Sequence, residues 1–374
     1  MAIEIDPLAY FKALGERFSG ENLLSRRTRA EPDTESKEIV DPLQTIAGLQ
    51  KKAGIMVKMI ESGEVEQPYI EETRKWFRLY VSNLVWDGGV EGLDNLQRAI
   101  TQARSEKKRL VFTPSHLADA DHPIATYLME YEGRGLGVQD ELVWMAGVNM
   151  LRRPKIERYM RAENLLYNVT PRDTDHLQEL KDHKYNLDES QIDTLEEIKK
   201  IFNRMNFAAM RRLVETCIKG KNPLVVYIEG GRSYDPDGFL YPPLLHFSGF
   251  FPKDDSVIVV PYRVYGSREL NPPGKEPPFL RKELIPGFRQ RVSMIVGESY
   301  PSSEIWEVQK QREAEATVVD GKKVEINPMD WVMANIANLD PSYVRPEEQR
   351  YYGDLMKRFA PLRNRIVIPD EVAT

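Results

Sequence analysis

The sequence contains little of what builds disulfides, metal centres or membrane spans. Its only cysteine is Cys217, which excludes an intramolecular disulfide and a cysteine-rich zinc site and makes a reducing compartment the simpler assumption. No segment approaches the roughly 18 uninterrupted apolar residues that a membrane-spanning helix requires. Residues 1–7 have neither the basic region nor the apolar region of a signal peptide. We therefore expect a cytoplasmic protein that is soluble or peripheral to a membrane.

An excess of positive charge is also missing. The formal net charge is -6, and this balance argues against general nucleic-acid binding, which usually needs a basic face. It still permits a local basic pocket. The 41% hydrophobic and 29% charged content is ordinary for a folded protein. A length of 374 residues fits one large α/β domain or two unequal domains.

The chain divides into two segments with different patterns. Residues 1–105 contain apolar residues at helical spacing, which predicts four helices at about 7–18, 43–60, 70–85 and 90–107 and favours a small helical bundle domain. In residues 106–374, short apolar runs alternate with helical patterns. This alternation predicts an α/β catalytic domain with a mostly parallel sheet flanked by helices. Ligands of such sheets bind beyond the carboxyl ends of the strands.

Two titratable residues lie just after the first predicted strand of the α/β domain. His116 and Asp121 are five positions apart in the segment Ser-His-Leu-Ala-Asp-Ala-Asp-His-Pro. A neutral imidazole can take a proton from a hydroxyl group, and a carboxylate bonded to its other nitrogen fixes the tautomer. From spacing alone, a histidine in a turn that caps a helix is the simpler explanation of the pattern.

A metal site is a competing interpretation of the same segment. Asp119, Asp121 and His122 lie close to His116, and Asp-His resembles the end of a metallo-hydrolase signature. The two preceding histidine positions of that signature hold Leu117 and Asp119 instead, so the ligand set is poor.

A second motif follows a later apolar strand. Glu229, Gly230, Gly231, Arg232 and Ser233 succeed the run Leu-Val-Val-Tyr-Ile. The two glycines allow a tight turn whose backbone amides can approach an anion, and the arginine side chain matches phosphate oxygens. An ordinary turn with a surface arginine is the simpler alternative. Glu229 is expected to brace the turn or to orient Arg232.

Together the two motifs resemble the glycerol-phosphate acyltransferase superfamily. Four sequence blocks of that superfamily occur in order over residues 109–300: His-x4-Asp at 116–121, Ala-Gly-Val-Asn-Met-Leu-Arg-Arg-Pro at 146–154, Glu-Gly-Gly-Arg-Ser at 229–233 and Val-Val-Pro at 259–261. The third block has Glu-Gly-Gly-Arg, which resembles the glycerol-3-phosphate acyltransferases, whereas the lysophosphatidate acyltransferases usually have Glu-Gly-Thr-Arg. The helical segment before the catalytic domain is similar to the soluble plastid-type enzymes.

This resemblance implies an enzyme that transfers a fatty acyl group to the sn-1 hydroxyl of glycerol 3-phosphate. The donor would be a thioester of acyl carrier protein or coenzyme A, and neither a metal nor an organic cofactor would be needed. His116 and Asp121 would be catalytic, Arg232 and Arg172 would bind the substrate phosphate, and the turn of Glu229 to Ser233 would contact the acceptor or the oxyanion. The resemblance also allows a peripheral contact between the protein and a membrane surface. Binding to nucleic acid is not expected.

The chain departs from the family pattern at two positions. Tyr234 and Asp173 stand where the glycerol-3-phosphate branch and the plastid type tend to have basic residues. Replacement charges are available at Arg152, Arg153, Lys155 or Arg268. A lysophospholipid as acceptor therefore stays an alternative, and so do a metal-dependent hydrolase and a non-catalytic carrier-binding protein with a decayed site.

Overall fold

The computed structural model describes residues 41–117, 121–131, 136–148, 161–182, 185–230, 239–267, 290–315, 318–319, 322–323 and 326–359. Within these residues, one mixed sheet contains nine strands. They are β1 Glu66–Gln67, β2 Val85–Glu91, β3 Arg109–Pro114, β4 Val143–Gly147, β5 Asn164–Asn168, β6 Leu224–Val225, β7 Val257–Tyr265, β8 Gln290–Val296 and β9 Tyr300–Pro301. A separate two-stranded ribbon joins β10 Val318–Val319 to β11 Lys322–Lys323.

The strand order is β1-β5-β4-β6-β3-β7-β8-β2, with β9 beside β7. The five central strands, from β5 to β7, are parallel to one another. β8 runs antiparallel to β7, and β1 runs antiparallel to β5. The predicted α/β class with a mostly parallel sheet is therefore confirmed. β7 is buried along its first eight residues, because helices cover both faces of a central parallel strand.

Helices flank the sheet and include an N-terminal helical region. They are α1 Pro42–Ser62, α2 Glu71–Leu84, α3 Leu93–Ser105, α4 Asp121–Tyr131, α5 Pro171–Lys181, α6 Glu189–Leu213, α7 Ser302–Glu315, α8 Met329–Ala337 and α9 Pro346–Phe359. The start of α1 is fixed by Asp41, whose side chain accepts a hydrogen bond from the Gln44 amide, and by Pro42 in the first turn. Asp188 and Gln191 form a capping box at the start of α6.

The helices predicted at 43–60 and 70–85 are confirmed as α1 and α2, to within two residues at each end. The helix predicted at 90–107 begins only at Leu93, because Val85–Glu91 is strand β2. Gly88 and Gly89 disfavour a helix, and parallel pairing with β8 supplies the backbone hydrogen bonds of this segment. The helix predicted at 7–18 lies outside the described residues.

The N-terminal segment contributes to the sheet. Both β1 and β2 precede residue 106, and each pairs with a strand of the α/β segment. The domain boundary at residues 105/106 stays a prediction, but the structure shows that the described elements on its two sides share one sheet. Among the described residues, no helix has the length and apolar character needed to cross a membrane.

Candidate active site

Three neighbouring parallel strands bring the site together. His116 follows β3, Glu229 follows β6 and Ser267 follows β7. Because β6 and β7 pair with β3 in parallel, their carboxyl ends meet at one edge of the sheet. The sequence-predicted histidine and the start of the glycine turn therefore lie at the same edge.

His116 and Asp121 form a side-chain pair. The imidazole Nδ1 lies 3.2 Å from Oδ2 of Asp121, the first residue of α4. The same oxygen accepts a 2.7 Å hydrogen bond from the Leu117 amide, and Oδ1 accepts one from the hydroxyl of Ser267. The Asp121 side chain is 1% exposed and the His116 side chain 15%, so the imidazole is the reachable member of the pair. With Nδ1–H donated to a carboxylate, Nε2 is left as the base.

Glu229 holds the loop that carries His116. Its Oε2 accepts a 3.0 Å hydrogen bond from the His116 backbone amide, and its Oε1 has no hydrogen-bond partner in the described part of the chain. Burial raises the pKa of Glu229 well above its usual range, and the nearby Asp121 raises it further; the His116 amide and Arg263 act in the opposite direction. Glu229 thus braces the loop after β3. Its predicted role in orienting Arg232, which lies outside the described residues, stays a prediction.

An aromatic cluster supports the imidazole. The Tyr227 ring stacks on His116 with centroids 4.1 Å apart and planes at 25°. The Trp144 ring centroid lies 6.2 Å from that of Tyr227 and 5.5 Å from that of His122, and Trp144 is a buried core residue. Burial, together with a smaller effect of the neighbouring His116, lowers the pKa of His122 to about 3, so His122 is neutral near pH 7. Spacing did not single out Tyr227, which lies in the apolar run just before the glycine motif.

The turn after β6 already uses one of its amides. Gly230 has φ +77°, a left-handed conformation that glycine adopts without strain, and its N–H donates a 3.0 Å hydrogen bond to the Tyr227 carbonyl. That amide is therefore engaged within the turn and is a poor choice as an oxyanion donor. Gly231, Arg232 and Ser233 lie outside the described residues, so the phosphate and oxyanion roles predicted for them stay predictions.

Asp173 has an ion-pair partner. It lies in the first turn of α5, next to Arg172, and its carboxylate pairs with Lys52 of α1. The Asp173 side chain is 3% exposed and the Lys52 side chain 14%. Because the Asp173 charge is matched by a lysine from the N-terminal helical region, it is not an isolated negative charge at the start of α5. Tyr234 and the four basic residues proposed as replacements lie outside the described ranges.

The competing metal site receives no support from the described residues. Among them, no group of three His, Cys, Asp or Glu side chains is placed to hold a metal ion. Asp119 lies outside the described residues, and His122 is buried beside Trp144. Cys217 is buried, and burial raises the pKa of its thiol to about 12, whereas a nucleophilic cysteine needs a lowered pKa.

Comparisons with known proteins leave the site as the main guide to function. The chain matches no protein-family model, and no curated protein matches it.

Proposed function

We propose that this protein transfers a fatty acyl group from a thioester of acyl carrier protein or coenzyme A to the sn-1 hydroxyl of glycerol 3-phosphate. The observation that carries the proposal is the hydrogen bond between the His116 amide and Glu229. It joins the His-x4-Asp motif to the Glu-Gly-Gly-Arg motif, which are the two elements of the resemblance. Each motif alone has a simple structural explanation, and their direct contact at one sheet edge favours a shared site.

The chemistry requires one group that first accepts a proton and later returns it, and His116 can do both. Nε2 of His116 takes the proton of the acceptor hydroxyl while the hydroxyl oxygen attacks the thioester carbonyl carbon. Asp121, bonded at Nδ1, stabilises the resulting imidazolium. The tetrahedral intermediate then collapses, the carbon–sulfur bond breaks, and the imidazolium returns its proton to the leaving thiolate. No enzyme serine is needed, because the substrate supplies the nucleophile.

Binding of both substrates in register would supply much of the acceleration, as in other direct transfers between two substrates. Arg232 and Arg172 are the proposed phosphate ligands. Arg172 is the second residue of α5, which follows β5 at the sheet edge where His116 follows β3. This placement is consistent with an acceptor that extends across the strand ends.

The decisive test is an acyl-transfer assay that crosses two acceptors with two donors. The acceptors are glycerol 3-phosphate and 1-acylglycerol 3-phosphate, and the donors are acyl carrier protein and coenzyme A thioesters. We expect turnover of glycerol 3-phosphate, reduced about 100- to 10,000-fold in His116→Ala, with the thermal unfolding midpoint of that variant close to that of the unaltered protein. Preferential turnover of the acylated acceptor would assign the chain to the lysophospholipid branch.

Two further outcomes would replace the proposal. Stoichiometric zinc or manganese with a hydrolase activity that a chelator abolishes would favour the metal-dependent alternative. Tight binding of the acyl carrier protein without any turnover would favour a binding protein with a decayed site.

A further inference from the structure

The carboxylate of Asp121 has a third contact, from a part of the chain that sequence motifs do not mark. Ser267 lies 146 residues after Asp121, and its hydroxyl donates a hydrogen bond to Oδ1. Both residues are 1% exposed. A buried hydroxyl group seldom lacks a hydrogen-bond partner, and the partner of the Ser267 hydroxyl is Asp121, which contacts the His116 imidazole.

The backbone that presents Ser267 has a specific requirement. Gly266 directly follows β7 and has φ +82°, and a Cβ atom there would lie 2.3 Å from the Arg291 carbonyl oxygen. Only glycine fits this turn without displacing β8. Because β7 is parallel to β3 and pairs Tyr262 with Pro114, the turn brings Ser267 to the loop after β3. The contact therefore follows from strand register and one glycine.

The two oxygens of Asp121 are thereby given different tasks. Oδ2 faces the His116 imidazole and the Leu117 amide, while Oδ1 faces Ser267. Without the hydroxyl, the carboxylate could rotate about its Cβ–Cγ bond and lose its alignment with Nδ1. Loss of that alignment would allow the proton to move to Nε2, which removes the base.

We propose that Ser267 is a positioning residue that orients Asp121 and so keeps His116 in the tautomer with the proton on Nδ1. The inference deepens the proposed acyl transfer and rests on it for its kinetic consequence. Its structural consequence, the tautomer of His116, can be measured without any substrate. Ser267 does not touch the reacting atoms, so its effect must pass through Asp121.

The test combines nuclear magnetic resonance with kinetics. In the intact chain, ¹⁵N shifts of the His116 ring should show the Nδ1–H tautomer, and Ser267→Ala should populate the Nε2–H form. Turnover of glycerol 3-phosphate should fall about 10- to 100-fold in kcat with little change in KM, which is the range expected for loss of one hydrogen bond to a charged group. Ser267→Thr, which keeps the hydroxyl, should restore much of kcat.

Ser302→Ala is the matched control. Ser302 is also fully buried, and its hydroxyl donates to the backbone carbonyl of Asp254, so the variant removes a buried serine hydrogen bond away from Asp121. It should leave the His116 tautomer and kcat unchanged. If Ser267→Ala does not fold, Ser267→Cys keeps the volume with only a weak donor, and it should show the same shift of tautomer.

The outcomes separate the two proposals. An unchanged tautomer in folded Ser267→Ala or Ser267→Cys would overturn the positioning role, even if the unaltered protein catalyses acyl transfer. A shifted tautomer in a protein without acyl transfer would overturn the proposed function and leave the positioning role intact. Equal losses of kcat in Ser267→Ala and Ser267→Thr would also count against a role for the hydroxyl.

Discussion

The backbone amide of His116 donates a 3.0 Å hydrogen bond to Oε2 of Glu229, which lies 113 residues further along the chain. The contact fixes the loop after β3 against the turn after β6. It gives Glu229 a structural task that is independent of any charge on it. A buried carboxyl whose pKa is raised well above its usual range can perform this task in the neutral form, because a carbonyl oxygen accepts the bond as well.

This reasoning predicts different results for two substitutions of Glu229. Glu229→Gln keeps an acceptor for the His116 amide and should retain acyl-transfer turnover within about fivefold, since the lost interaction is small on the scale of a neutral hydrogen bond. Glu229→Ala leaves the part-buried His116 amide without its acceptor and should lower kcat/KM about 10- to 100-fold. Steady-state kinetics on the two purified variants makes the comparison. If both lose activity equally, the negative charge matters and the bracing role is wrong.

The stack of Tyr227 on His116 leads to a second prediction. The Tyr227 hydroxyl is buried and has no hydrogen-bond partner among the described residues. Tyr227→Phe should therefore keep activity and raise the free energy of unfolding by about 1 kcal/mol, because it removes an unsatisfied polar group. Tyr227→Leu removes the ring that supports the imidazole and should lower kcat as well as stability.

Tyr262 supplies the control for Tyr227. Its hydroxyl is also buried without a described partner, and its ring packs edge-on against Phe112 rather than against His116. Tyr262→Phe should raise stability by a similar amount, whereas Tyr262→Leu should lower stability with less effect on kcat. Equal kinetic losses in the two leucine variants, measured together with urea unfolding, would show that the stack has no separate role.

The His116–Asp121 pair and the central strands of the sheet could be predicted from the sequence, because each depends on a short local sequence pattern. Apolar runs such as Val257–Val260 report burial on both faces, and the strand-to-helix junction at His116 and Asp121 is a short segment. The sequence pattern did not predict β2 because its Val-Trp-Asp-Gly-Gly start does not alternate between apolar and polar residues, and its extended conformation depends on pairing with β8. Tertiary pairing decided that segment over its local propensity.

The contacts that Ser267 makes with Asp121 and Lys52 makes with Asp173 could not be predicted, because they too depend on tertiary structure. Ser267 meets Asp121 only through the register of β7 against β3, and Lys52 meets Asp173 only through the packing of α1 near α5. Neither residue type is unusual in its local sequence. One usable signal was the Gly-Ser step directly after strand β7, because glycine at a strand end marks a forced turn.

His122 predicts how stability depends on pH. Its folded-state pKa of about 3 is below the ordinary 6.5, so between these values the unfolded chain binds a proton that the folded chain does not. The contribution of His122 to stability is present above pH 6.5 and is lost as the pH falls through this window. The slope is about 1.4 kcal/mol per pH unit for one proton. Urea unfolding at a series of pH values measures it.

The matching variant is His122→Gln, which cannot take up the proton. A plot of its free energy of unfolding against pH should be less steep than that of the unaltered protein between pH 6 and about 4. The difference in slope should be that of one bound proton, about 1.4 kcal/mol per pH unit. Parallel curves for the two proteins would show that His122 is protonated in the folded state or already exposed to water.

Asp173 stands where the plastid-type acyltransferases that the sequence resembles tend to have a basic residue. The Lys52–Asp173 pair predicts that this difference affects stability more than substrate binding. Lys52→Met leaves the 3%-exposed carboxylate without its cation and should lower the free energy of unfolding by about 3 kcal/mol, the lower end of the range for breaking a buried pair. Lys52→Met combined with Asp173→Asn removes both charges and should recover most of this loss. Because the pair is satisfied within the protein, KM for glycerol 3-phosphate should change less than threefold in the double variant. A tenfold rise of KM with unchanged stability would instead place Lys52 among the ligands of the acceptor phosphate.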